Sequence, residues 1–147
     1  MSLKCKAHKL QHIVQIAWPE DPCLAGRVLA VRSRRPTSDY TYISLYIPPT
    51  SGAPLQVTFK LLAWLQRLYT ALPRRTVPLL FTDANSKLGA LQTNGGWRPF
   101  STSAVGPFSP EVQNANAQLF HEFLIRNRLV ATNTFCSNPP TFYSGTT

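Results

Sequence analysis

The chain has 147 residues, 15 Lys or Arg against 6 Asp or Glu for a net charge of +9, and is 44% hydrophobic. That apolar share excludes a disordered tail and suffices for one core, while the basic excess favours a polyanionic partner over a merely basic surface. Cys5, Cys23 and Cys136 form no CxxC pair, which argues against a disulfide scaffold or zinc finger, and no apolar run approaches the ~20 residues of a membrane span.

Met1 to Lys6 begins with charge but has no apolar stretch behind it, so no secretory leader is expected and the protein is assigned to cytoplasm or nucleus. His8 and His12 stand four apart without a supporting carboxylate or cysteine, and read as part of a solvated N-terminal segment. His12 to Trp18 and Gly26 to Arg32 read as strands, joined by a turn at Pro19-Glu20-Asp21-Pro22. Arg32 to Pro36 is a basic connector, and Tyr40 to Ile47 is a third strand ending at Pro48-Pro49. Leu61, Leu65, Leu68 and Leu72 fall at i, i+4, i+7 and i+11, one face of a helix from Leu55 that Pro73 ends.

Val77 to Thr82 is a fourth strand, so apolar that burial on both faces is expected. Gly89 to Pro110 reads as a long polar loop, and Phe120, Phe123 and Leu124 give a second helix its buried stripe. Leu129 to Phe135 is a fifth strand, with a last one near Thr141 to Ser144. His121 reads as a surface histidine or one satisfied by its neighbours. The order predicts one domain over residues 1–147, of α/β class, a layered sandwich with mixed sheets.

The densest chemical signal is Leu79-Leu80-Phe81-Thr82-Asp83-Ala84-Asn85, where an apolar run delivers an acid and an amide two residues apart. If the chain stays extended, period two turns Asp83 and Asn85 the same way, at the sheet edge where open α/β proteins bind ligands. A carboxylate beside a carboxamide suits phosphate chemistry, one holding a cation or proton and the other bonding a phosphoryl oxygen. The plainer account is a polar strand end opening a turn, which Asp, Asn and Ser all favour.

Together with Tyr46-Ile47-Pro48, Asn114-Ala115-Asn116-Ala117, Asn133-Thr134-Phe135 and Thr141-Phe142, in this order, the segment resembles the endonuclease/exonuclease/phosphatase superfamily. The likeness covers roughly residues 26 to 143 and is nearest the endonuclease domains of non-LTR retrotransposon polyproteins. It implies a DNase I-like fold and a Mg²⁺-dependent phosphodiesterase acting on nucleic acid, DNA first. Asp83 would orient or deprotonate the attacking water, Asn85 would hold the phosphate, Tyr46 would point into the same site, and Asn114 would contact phosphate, although helix capping is its simpler role. The chain departs from the pattern at Thr82 and Ala117, where the family has Gly, and at Phe142, where it has Trp.

Nothing matches the family's first metal-binding Glu, since Glu20 falls in a turn, and no Asp follows Asp83 nor any His His121 to supply its closing Asp-His pair. The resemblance therefore implies the central part of such a domain, inactive by itself. A catalytically inactive, basic nucleic-acid-binding module and a phosphatase acting on phosphoinositides are the alternative readings.

Overall fold

The computed structural model describes residues 12–93, 96–99, 101–108 and 111–136. The fold is a small α/β one in which the chain divides into two compact units. One comprises residues up to Ile47 together with Ala63–Ala84, and the other Pro48–Leu62 together with the chain from Asn85 onward.

The first unit is built on a mixed sheet of β1 (Ile13–Ala17), β2 (Val28–Arg34), β3 (Asp39–Tyr46) and β4 (Val77–Asp83), in that spatial order. The first three strands run antiparallel, and β4 lies parallel to β3. Parallel neighbours cannot be joined by a tight turn, and the connection here runs through helix α1 (Leu55–Ala71). Strand β3 alternates strictly: Asp39, Thr41, Ile43 and Leu45 are buried, while Tyr40, Tyr42, Ser44 and Tyr46 are exposed. On α1, Leu61 and Leu65 are fully buried and Leu68 and Leu72 half-buried, the stripe their spacing predicts.

Three expectations change in this unit. Strand β4 is not buried on both faces: Val77, Leu79, Phe81 and Asp83 are exposed on the face where β3 also exposes Tyr40, Tyr42, Ser44 and Tyr46, and β4 is the edge of the sheet among the described residues. Pro78 agrees with that position, since a residue with no N–H cannot complete a ladder on both sides. Nor is Arg32 to Arg34 part of a connector; these residues extend β2, and the turn closes where Arg35 N–H donates to the Ser38 carbonyl at 2.7 Å. Finally, β2 begins at Val28, because the chain before it turns through Gly26 at φ +70°.

Asp39 ties the sheet together. Arg32 donates to both its carboxylate oxygens at 2.9 and 2.7 Å, Arg75 Nε at 3.0 Å and the Thr76 hydroxyl at 3.1 Å. The Arg32 hydrogen bond, reinforced by Thr76 and by the charges of Arg32 and Arg75, holds this carboxyl well below the usual carboxylate range despite desolvation. A folded-state pKa below the unfolded value means the contribution is complete above about pH 4 and is lost as pH falls through the folded value. Urea midpoints measured from pH 7 down to 2 should therefore fall below about pH 4, and Asp39→Asn should lower the neutral-pH midpoint and flatten that acid limb. Parallel profiles for the two proteins would contradict this.

The second unit holds β5 (Gly89–Thr93), β6 (Gly96–Pro99) and β7 (Glu111–Val112), in the order β6-β5-β7, and helix α2 (Ala115–Arg126). The long loop expected from Gly89 to Pro110 thus contains a hairpin in which Thr93 pairs with Gly96. The signal for it stands in the sequence: Asn94-Gly95 is the dipeptide that two-residue hairpins prefer. Helix α2 buries Phe120, Phe123 and Leu124 as its stripe predicts, and ends where Arg128 takes φ +54° and Leu129 N–H returns to the Leu124 carbonyl at 2.9 Å.

The fifth strand expected over Leu129 to Phe135 is not formed. One bridge joins Ala131 to Val105, and Thr132–Thr134 then coils into a 3₁₀ turn. The reason is local: the Thr134 hydroxyl donates to the Ala131 carbonyl at 2.6 Å, a bond that an extended chain cannot make. The last strand, near Thr141 to Ser144, lies outside the described residues. Among the described residues, no helix is long and apolar enough to cross a membrane.

Candidate functional site

In the first unit the register sets Tyr46 directly opposite Asp83, at the C-terminal ends of adjacent parallel strands. Directly opposed residues project to one face of a sheet, so the phenol and the carboxylate share both a face and an end. The backbone continues the pairing past both strands: Ile47 N–H donates to the Asp83 carbonyl at 2.9 Å, and Tyr46 N–H donates to the Arg27 carbonyl at 2.7 Å. The second of these bonds brings the turn before β2 to the same end.

An open depression of about 780 Å³ lies there, and Trp18, Arg27, Leu29, Tyr46, Phe81 and Asp83 are among the residues that line it. The Arg27 guanidinium sits over the Tyr46 ring, 5.8 Å from its centroid, and its Nε reaches the Cys23 carbonyl at 3.4 Å. The depression therefore offers a forked cationic donor, a carboxylate acceptor and a phenol on walls that are apolar apart from Ser44 and Thr82. An anion could use the guanidinium and the phenol, and the carboxylate could take the proton or cation that accompanies it. Sequence reasoning singled out Tyr46 and Asp83 but missed Arg27, because no local pattern marks an arginine in a turn as facing a strand end.

Asn85 and Asn114 belong to the second unit. The extended geometry that would turn Asp83 and Asn85 the same way does not persist: β4 ends at Asp83, and Asn85 adopts φ +43°. Asparagine tolerates this left-handed conformation better than most residues. The Asn85 carbonyl accepts from Asn114 Nδ2 at 2.7 Å and from Asn116 Nδ2 at 3.4 Å. Asn114 caps α2, its Oδ1 accepting from Ala117 N–H at 3.1 Å and from Lys87 N–H at 3.3 Å. Both ends of the Asn114 carboxamide are thus committed to the protein's own backbone.

Asn116 is fully buried, with Nδ2 donating to the Pro48 carbonyl at 2.9 Å and Oδ1 accepting from the Thr58 hydroxyl at 2.9 Å. A capping role suits Asn114 but not Asn116, whose work is to join the start of α2 to the segment before α1 and to α1 itself. His121 is also buried and hydrogen-bonds through Nε2 to the Thr102 hydroxyl at 2.9 Å, with burial lowering its pKa.

The donor set bears on the cation that the resemblance implies. Among the described residues no three of His, Cys, Asp or Glu gather as a metal cluster, and Asp83 is the one carboxylate lining the depression. That set fits Mg²⁺ only in company with a substrate phosphate, since Mg²⁺ takes one or two carboxylates and completes its shell with phosphate and water. No protein-family model matches the chain, and no curated protein or solved structure matches it either.

Proposed function

We propose that this chain carries the part of an endonuclease-like phosphodiesterase domain, related to those of retroelements, that presents Tyr46 and Asp83 to the phosphates of nucleic acid, DNA in the first instance. The observation that carries this reading is the register pairing of Tyr46 with Asp83 beside Arg27 at one end of the sheet. A DNase I-like layered sandwich is part of the same reading. Arg27 binds a phosphoryl oxygen through its fork, and the Tyr46 hydroxyl orients that oxygen. Asp83 would hold a divalent cation together with the phosphate, and that cation would relieve phosphate charge. The net charge of +9 adds affinity that is indifferent to base sequence.

Fluorescence anisotropy with a labelled DNA duplex tests the reading. Binding should weaken at least about tenfold between roughly 50 and 200 mM salt, and Arg27→Gln should weaken it further by about tenfold. Mg²⁺ should tighten the complex of the wild-type chain but not that of Asp83→Asn. Absence of binding at low salt, or a Mg²⁺ effect that survives Asp83→Asn, would sink the proposal. Cleavage is not expected from this chain, because it has no residues matching the family's Glu or Asp-His pair and members of a catalytic unit fail together. Plasmid nicking above an Asp83→Ala control would overturn that expectation.

A further inference from the structure

One face of the four-stranded sheet is apolar and exposed over most of its extent. The register aligns Ile16 with Val31, Val31 with Tyr42, Tyr42 with Leu79, Leu29 with Ser44 and Ser44 with Phe81, so these side chains share that face. On it Ile16, Leu29, Tyr42, Val77, Leu79 and Phe81 are each between 36% and 61% exposed. Tyr40 stands against Tyr42, with ring centroids 6.1 Å apart. At about 200 Å² for a large side chain, the exposed part of these seven residues comes to roughly 640 Å². The largest apolar patch on an ordinary monomer is about 300–600 Å², and each partner in a standard protein interface contributes about 800 Å².

Away from its Tyr46–Asp83 end, the chemistry of the face favours protein over nucleic acid. Four of the seven side chains are aliphatic and give a base no ring to stack on. Strands β1, β3 and β4 contain no Lys or Arg, and the register puts Arg32 and Arg34 of β2 on the opposite face, level with Thr41 and Asp39. The composition of β4, Val77-Pro78-Leu79-Leu80-Phe81, is that of a strand covered on both sides.

We infer that this face is where a second copy of the chain docks, sheet against sheet, to form a two-fold symmetric homodimer. A two-fold interface needs one self-complementary patch on each copy, and this patch has close to the necessary area. Two such faces stack about 10 Å apart and cover each other's apolar rows. Each copy carries +9, so the pairing works against charge repulsion that salt screens. Salt therefore strengthens the dimer while it weakens binding to nucleic acid; because Leu29 and Phe81 also line the depression and Tyr46 and Asp83 project from the same face, the dimer covers that site and the two modes of binding compete.

Analytical ultracentrifugation of the full chain, at about 1–50 µM, tests it. The expected result is a reversible monomer–dimer equilibrium whose dimer fraction rises with salt. Ile16→Lys and Leu79→Lys, at exposed positions, should each weaken it at least tenfold with unchanged circular dichroism, and Tyr42→Ser provides a third, uncharged probe. Ile125→Lys, on the exposed side of α2, should leave the equilibrium unchanged. A monomer at every concentration, variants that dimerise like wild type, or open-ended aggregation would overturn the inference.

Discussion

Asn116→Leu should be the most damaging single substitution in the second unit. The side chain is fully buried and serves the Pro48 carbonyl and the Thr58 hydroxyl, itself 1% exposed. Leucine has the same heavy-atom branching but bulkier terminal methyl groups, so the effect is one of lost hydrogen bonds with some overpacking, and not of a cavity. Two buried polar groups would be left without the partner they have, at about 1–3 kcal/mol each, so a loss of roughly 2–5 kcal/mol is expected. Urea unfolding followed by circular dichroism measures it. Thr58→Val in the same background should recover part of the loss, since removing both members of a buried pair costs less than removing one. Additive losses in the double variant would show that the Thr58–Asn116 bond carries little.

Gly106→Ala should also destabilise strongly, for a steric reason. A methyl group at this position would fall 2.7 Å from the Thr134 carbonyl carbon and 2.8 Å from Cγ of Phe135. The first of these atoms is backbone, and it is held in place: the Thr134 carbonyl accepts from Phe108 N–H at 3.1 Å, and the Thr134 hydroxyl accepts from Gly106 N–H at 2.8 Å. Thr134 cannot give way without disturbing those bonds, so a loss of about 1–3 kcal/mol or more is expected. Gly52→Ala is the control, because a methyl there meets only Pro49, at 3.7 Å. Replacing glycine where the backbone permits it is neutral or slightly stabilising. Equal melting temperatures for Gly106→Ala and wild type would refute the packing described around Thr134.

Asn116 also belongs to a network at the residue that follows Asp83 by two in the chain. Asn116 and Asn114 both donate to the Asn85 carbonyl, which fixes the left-handed residue that follows β4 in the chain. A sequence that places asparagine there and two more at the start of α2 has built a carboxamide network, not a set of separate ligands.

The sequence by itself determined where most elements lie. Period two over Asp39 to Tyr46 and the leucine spacing over Leu61 to Leu72 are local patterns, and a strand and a helix form where they occur. The buried stripe of α2 and the stop at Pro73 were legible for the same reason. What the pattern could not reveal was which strand neighbours which. A run such as Val77 to Thr82 has the same composition at the centre of a sheet as at its edge, and only the pairing shows that β4 has β3 on one side alone among the described residues. The sequence likewise could not show that Leu129 to Phe135 would exchange a ladder for a local Thr134 hydrogen bond, or that Asp39 would meet Arg75 and Thr76 from 36 and 37 residues away. The candidate site depends on the same kind of fact. Asp83 and Tyr46 each end a strand by local rules, but their opposition, and the arrival of Arg27 beside them, follow from parallel pairing across a helical crossover, because hydrogen-bond register between distant segments is set by the packing of the whole sheet.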